Sequence, residues 1–441
     1  MNQFLLFLGF MASSFLSLGQ LPQKARLDSL LDYLNHENKL MATVAIHKSG
    51  QPVYRHSTGI TGYLNNENVQ SDQVTEYRVG SVSKMFTAVI IFQLMEEKLL
   101  SPDDKLSSFF PSVPNAGKIT ISQMLNHHSG IHNITDDSIY LTYYTHPKSK
   151  AEMLQLISNS TPEFEPGSSA AYSNSNFILL TFIAEKLTKK SFPQLVRSRI
   201  ADKLHLQHTY VGSSIHRKSN EAGSFRFEND KWVAEPETDM SVPAGAGAIV
   251  STSSDVNVFI SAIFTGKLIS AAHLKMMQTI SDGYGMGMFE IPFYDMKGYG
   301  HTGGIDGFQS MTIYFPKDSV AFTILSNGSA YPLNNVVIGL LSIYYDRPYE
   351  FPVFKKFKDE TVSLSTYEGV YSSDLAPIKI TVFVEGGKLK AQGTGQRSFE
   401  LTQSDKDEFM FDPAGIKIKF DPAKHTMLLN QGGMQTVFTR E

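Results

Sequence analysis

A strongly apolar stretch runs over residues 85–95, MFTAVIIFQLM, and gives way at once to Glu96, Glu97 and Lys98. Such a run predicts a core helix that reaches the surface where the charges begin. Helical spacing of apolar positions predicts further helices over 121–127, 151–157, 176–187, 192–204 and 254–264. Two short β-prone runs, 42–47 and 53–57, flank Lys48, Ser49, Gly50 and Gln51, the pattern of a hairpin. Strand patterns return at 310–315 and 320–325, followed by an apolar helix at 335–345. Strands at both ends with helices between them predict one α/β unit whose sheet is completed by the N- and C-terminal segments.

The pattern changes after Arg347, Pro348, Tyr349, Glu350, Phe351 and Pro352. From Tyr367 onward β-rich runs alternate with turns such as Glu385-Gly386-Gly387-Lys388, Asp412-Pro413-Ala414-Gly415 and Gln431-Gly432-Gly433. About eight short strands in so little chain predict a small antiparallel barrel or sandwich. The expected division is 25–352 for the main unit and 353–441 for the all-β unit.

The first residues are apolar from Phe4 to Phe15 and are followed by Ser17, Leu18 and Gly19, small residues suited to cleavage before Gln20. This predicts a signal peptide over residues 1–19 and a secreted or periplasmic protein with no stable membrane insertion after cleavage. Because the leading residues carry no Lys or Arg, an N-terminal anchor helix is the alternative, though the apolar core falls short of the ~20 residues a span needs. Residues 336–345 are interrupted by Gly339 and Ser342 and read as a buried helix.

Composition narrows the partners. The 441 residues are 41% hydrophobic and 19% charged, with a formal charge of −4 and no basic run. That is ordinary globular composition, and it offers no global attraction to nucleic acid, so none is expected as a partner. There is no cysteine, so disulfides, lipid-modified cysteine and cysteine-held metals are excluded. Asn133-Ile134-Thr135, Asn159-Ser160-Thr161 and Asn327-Gly328-Ser329 match the short glycan-acceptor pattern.

Three segments carry candidate chemistry. Gly80-Ser81-Val82-Ser83-Lys84 opens the apolar helix, and the i to i+3 spacing places Lys84 on the face of Ser81. A lysine whose ammonium is disfavoured by burial can take the proton of a serine, and the helix N-terminus stabilises developing anions. Alone, the same pattern is an ordinary helix start. Tyr172-Ser173-Asn174 lies between a turn at Glu165-Pro166-Gly167 and an apolar helix, where a phenol and an amide can project into a cleft. The alternative is a packed aromatic and a helix cap. Gly300-His301-Thr302-Gly303-Gly304 precedes the strand at Ser310, and its glycines let a carbonyl approach the backbone. The alternative is a Gly-rich hairpin turn. His127 and His128 are adjacent and lack carboxylate partners at ligand spacing, so no metal is expected there.

Taken together and in this order, the three segments resemble the penicillin-recognising serine hydrolases, in the branch of class C β-lactamases, DD-peptidases, D-aminopeptidases and related esterases. Leu125-Asn126-His127-His128-Ser129-Gly130, Ala244-Gly245-Ala246-Gly247 and Tyr284-Gly285-Met286-Gly287 add to the resemblance, which covers about residues 25–346. It implies a β-lactamase/transpeptidase-like antiparallel sheet flanked by helices, with the small C-terminal barrel appended and no cofactor. It also implies that Ser81 attacks a carbonyl, that Lys84 and Tyr172 share the proton transfers, and that Asn174 holds the substrate amide or Lys84. The oxyanion would lie between the N–H groups of Ser81 and Gly304, with His301, Thr302 and Gly303 beside the substrate. His301 stands where many β-lactamases carry lysine, so a dedicated β-lactamase is disfavoured. The expected activity is cleavage of a small-molecule or peptide amide or ester. A penicillin-binding or cell-wall-sensing module that acylates with little turnover is the alternative.

Overall fold

A computed structural model describes residues 21–64, 67–215, 220–228, 231–354, 363–396, 398–411, 415–431 and 434–441. The expected signal segment and the barrel turns at 412–414 and 432–433 lie outside the described residues. The main sheet has six antiparallel strands: β1 (Leu40–Lys48), β2 (Gln51–Thr58), β3 (Phe289–Phe293), β4 (Met296–Ile305), β5 (Phe308–Phe315) and β6 (Val320–Ser329). Their spatial order is β3-β4-β5-β6-β1-β2. The N-terminal hairpin therefore joins the C-terminal strands along β1–β6, with Val44 opposite Ile324, as the two-ended strand pattern predicts.

Alternation along β6 serves two layers of helix. Phe322 and Ile324 face a cluster with α1 (Lys24–His36) and the helix Leu333–Tyr344. Ala321 and Leu325 face the larger cluster built on α2 (Ser83–Glu96), α3 (Asn174–Thr188) and α4 (Ser253–Phe264). Asn257 on α4 pins that layer to the sheet, donating to the Ala45 carbonyl at 2.9 Å and accepting from Thr323 at 2.7 Å. In α2 every residue from Ser83 to Met95 is buried, because this helix runs through the centre of the unit with the sheet on one side and α3 on another.

Several expectations are corrected. The segment 300–304, expected just ahead of the strand at Ser310, lies inside a strand of its own, β4, which sets aside the alternative of a hairpin turn there; the turn falls at 306–307. Glycine is depleted in strands, but here only glycine fits, since a Cβ on Gly300 would lie 1.9 Å from the Thr312 carbonyl oxygen. The helix expected at 121–127 ends at Leu125, because His127 takes a left-handed φ of 61°. The stretch 192–204 is helical but passes through a π turn at Arg197–Ala201. The sequence pattern missed α1, whose Leu27, Leu30, Leu31 and Leu34 are fully buried. Of the glycan-acceptor matches, Asn133 and Asn327 are buried and hydrogen-bonded, and Asn159 is exposed.

The C-terminal segment forms a nine-stranded antiparallel sheet, one strand more than expected. Its two outermost strands, Phe399–Glu400 and Thr402–Asp405, are separated in the chain by Leu401 alone. The edges therefore meet and the sheet is a nearly closed barrel, filled by Tyr367, Tyr371, Phe409, Ile418, Phe420, Met427 and Phe438.

Candidate active site

Ser81 sits in a single 3-10 turn, Gly80–Val82, that leads directly into α2. Gly80 has a φ of 51°, and a Cβ there would lie 2.8 Å from the Gly304 amide nitrogen. A side chain at 80 would thus push β4 away from Ser81, and a β-carbon at the left-handed φ would add strain. Lys84 is fully buried one turn further on. Its Nζ donates to Ser81 Oγ at 2.9 Å, to Asn174 Oδ1 at 2.7 Å and to the Ala246 carbonyl at 2.8 Å.

Each of those acceptors is held in place. Ser173 occupies the N-cap position of α3 without a side-chain cap bond, so Asn174 is the helix's first residue and not its cap. The Asn174 amide is oriented by donation to Thr135 Oγ1 at 2.9 Å, and its backbone N–H donates to Asn133 Oδ1 at 2.9 Å. The loop carrying Asn133 and Thr135 is closed by His132, whose two ring nitrogens face Glu163 and Asp137. Ala246 belongs to a short turn wedged between α2 and α3: Thr87 donates to the Gly245 carbonyl at 2.8 Å, and a Cβ on Gly245 would lie 2.1 Å from Thr181 Oγ1. The Ala-Gly-Ala-Gly stretch therefore delivers a carbonyl to Lys84, a contribution that side-chain chemistry in the sequence does not reveal.

Tyr172 completes the cluster from the other side, its hydroxyl donating to Ser81 Oγ at 2.8 Å. Its ring lies 4.9 Å from Lys84 Nζ and 4.6 Å from the ring of His127. His127 forms the floor beneath it and accepts the Ser173 N–H at 3.1 Å on Nδ1, so its ring proton resides on Nε2.

Burial sets the protonation. It holds Lys84 well below the ordinary lysine range and pushes the Tyr172 phenol up, opposed by the Ser81 hydrogen bond. Burial, with Lys84, His301 and His128 adding, holds His127 well below the usual imidazole range. Donation to all three acceptors uses the N–H groups of the ammonium form; once Lys84 is neutral, two amine protons remain for Asn174 and Ala246 and the 2.9 Å contact to Ser81 reverses, the Ser81 hydroxyl donating to the lone pair.

The third segment lies along a free sheet edge. β3 pairs with β4 only as far as Gly300, so among the described residues 301–305 have a strand partner, β5, on one side alone. The uncovered side passes Ser81 closely enough that a Cβ on Gly303 would lie 3.0 Å from the Ser81 amide nitrogen. Thr302 and Gly304 are exposed on this edge and Gly303 is partly so. His301 is buried: Nδ1 donates to the Thr302 carbonyl, and the ring lies 4.5 Å from Phe289 and 6.4 Å from Tyr172. Burial, with Lys84 nearby, holds its pKa down at about 3. The structure thus brings Ser81, Lys84, Tyr172, Asn174 and the strand edge 302–304 together, and sets His301 behind that edge as an uncharged ring. Sequence reasoning missed Ala246, the Asn133–Thr135 loop and a buried Arg78–Asp306 ion pair at the edge's tip. Asn133 and Thr135 were visible only as a glycan pattern.

The Beta-lactamase family model matches residues 29–337. Penicillin-binding protein 4* of Bacillus subtilis is 25% identical over 448 aligned positions, 93% of this chain and 97% of that protein. Among solved structures, a D-stereospecific amidohydrolase from Streptomyces sp. superposes with a TM-score of 0.63 at 24% identity, covering 72% of this chain and 98% of that one. The octameric penicillin-binding protein homologue from Pyrococcus abyssi superposes with a TM-score of 0.69 at 20% identity, covering 94% of this chain and 99% of that one. The family match spans most of the residues that build the sheet, its helices and the site: the chain belongs to the β-lactamase family, among the penicillin-recognising serine hydrolases.

Proposed function

We propose that the chain is an exported hydrolase that cleaves an amide or ester, of a D-amino-acid peptide, a cell-wall peptide or a small ester, through an acyl-enzyme on Ser81. One observation carries this reading: Ser81 Oγ lies between Lys84 Nζ at 2.9 Å and the Tyr172 hydroxyl at 2.8 Å, facing a free strand edge. Neutral Lys84 takes the hydroxyl proton as Oγ bonds to the carbonyl carbon, and the oxyanion is held by the N–H groups of Ser81 and Gly304. Collapse breaks the bond to the amine or alcohol, which leaves with a proton from Tyr172 or Lys84. Water then attacks the acyl carbon by the reverse proton path and restores Ser81.

The names of the relatives support an amide or peptide substrate, and the apolar segment at 4–15 supports export. An uncharged His301 offers no fixed cation to a substrate carboxylate, which favours neutral amides and esters. Residues 1–19, 25–352 and 353–441 are assigned as signal, hydrolase unit and barrel. The test is covalent labelling with a fluorophosphonate or penicillin probe, with the adduct mapped, and turnover of D-amino-acid amides, DD-peptides, short esters and a cephalosporin side by side. An adduct elsewhere than Ser81, or none, overturns the reading. The name of the Bacillus relative favours a second reading, a penicillin-binding module with slow deacylation. A stoichiometric burst without steady turnover selects it.

A further inference from the structure

The turn carrying Ser81 and the tip of β4 meet backbone to backbone. Cβ atoms placed on Gly80 and Gly303 would lie 2.8 Å from the Gly304 nitrogen and 2.2 Å from the Val79 carbonyl oxygen. No side chain can stand between them, and among the described residues no strand pairs with β4 on that side beyond Gly300. The separation of the Ser81 and Gly304 amides must therefore be set from the ends of the two segments.

At those ends lies a buried polar cluster that the reaction itself does not use. Arg78, three residues before Ser81, donates from Nη1 to Asp306 Oδ2 at 2.9 Å and to the Thr238 carbonyl at 2.9 Å. Its Nη2 donates to the Ser213 carbonyl at 2.9 Å and to Glu237 Oε2 at 3.4 Å. Asp306, two residues after Gly304, accepts at Oδ1 from the Thr238 N–H at 3.0 Å and also from its hydroxyl. The Arg78 and Asp306 side chains are 2% and 0% exposed. On the next strand Ser310 Oγ donates to the Val79 carbonyl at 2.7 Å. A buried ion pair is weak evidence for stability, since well-packed apolar residues often serve as well. What directed bonds supply, and apolar packing does not, is a fixed position for the hairpin tip.

We infer that Arg78, Asp306 and Thr238 are positioning residues that set the spacing of the Ser81 and Gly304 amides, and with it the geometry of the oxyanion site. The inference rests on the acyl-enzyme reading above. The three residues act on the reaction through the backbone of the two segments they join, and displacement of the Gly304 amide by a fraction of an ångström weakens a bond made fully only in the transition state.

The experiment uses the full-length chain with Asp306→Asn, which tolerates the left-handed φ of 52° at that turn, and Thr238→Val, which removes one hydroxyl at nearly constant volume. Active sites are titrated with a covalent probe, and kcat, KM and the affinity of a boronic acid that forms a tetrahedral adduct with Ser81 are measured alongside thermal melts. The expected result is a fall in kcat per titrated site of about tenfold to a hundredfold with KM nearly unchanged, and a matching loss of boronate affinity. A merely structural role would lower the melting temperature and leave kcat per site unmoved. If Asp306→Asn does not fold, Thr238→Val decides. A folded variant with wild-type kcat per site overturns the inference, as does a lower kcat with unchanged boronate affinity. Ser81→Ala separates the two levels: residual turnover there sinks the acyl-enzyme reading itself, whereas an inactive Ser81→Ala beside an unimpaired Asp306→Asn sinks only the positioning role.

Discussion

Lys84 and Asn174 meet through a 2.7 Å hydrogen bond from Nζ to Oδ1 across 90 residues of chain, and the acceptor is an uncharged amide. A carboxylate in its place would stabilise the ammonium form of Lys84 and remove the lone pair that faces Ser81. In the wild type, kcat/KM is expected to rise with pH as Lys84 loses its proton, a step that burial moves well below the ordinary lysine range. Asn174→Asp is expected to move that acid limb upward by about 1–3 pH units. A pH–rate profile of both proteins checks this, and an unmoved limb would assign the titration to another group.

On the proposed mechanism Ser81 and Lys84 share one proton, and so would act as a unit. Ser81→Ala and Lys84→Ala are each expected to lower kcat/KM by at least about a thousandfold, and the double variant by little more than either alone. Steady-state kinetics of the three variants decide, and multiplicative losses would show two independent roles.

Two buried histidines are expected to make the fold acid-sensitive. Burial, with Lys84 nearby, holds His301 at about 3, and burial holds His47 at about 4. Unfolded, each takes up a proton near its ordinary value of ~6.5. Below that value the unfolded chain binds a proton that the folded chain refuses. Their share of stability is therefore complete above about pH 6.5 and lost as pH falls toward the folded values, by about 1.4 kcal/mol per pH unit for each group. Urea unfolding from about pH 7 to about pH 5 reads the slope, and His301→Gln is expected to make it shallower. An unchanged slope would mean that His301 is protonated in the fold.

His301→Lys places a cation beside Lys84 and near the edge 302–304. Neutral esters are expected to turn over more slowly, and carboxylate-bearing β-lactams to gain relative to them by on the order of 1 kcal/mol. The ratio of kcat/KM for a cephalosporin over a neutral ester, at low and high salt, measures this. A ratio that stays put leaves His301 as packing behind the strand.

The contact of Ser81 with Lys84 was legible from the sequence because it is local: a three-residue spacing at the head of an apolar run specifies both a helix and one of its faces. The two-ended strand pattern was legible for the same kind of reason, since alternation reports which face of a strand is buried. The glycine-rich strand Met296–Ile305 was not, because glycine has no side chain with which to signal a strand; Gly300 and Gly303 are required by the Thr312 and Val79 carbonyls that approach them. Nor did the pattern reveal which acceptors would surround Lys84. Ala246 contributes only a backbone carbonyl, brought in across 162 residues, and the Asn133–Thr135 loop acts by orienting Asn174. The sequence by itself determined the helix start that sets Lys84 one turn from Ser81, and the α/β class. Only the tertiary structure decided the burial that lowers the pKa of Lys84 and His301 and the spacing of the strand edge from Ser81, because burial and backbone contact depend on which distant segments close around a residue.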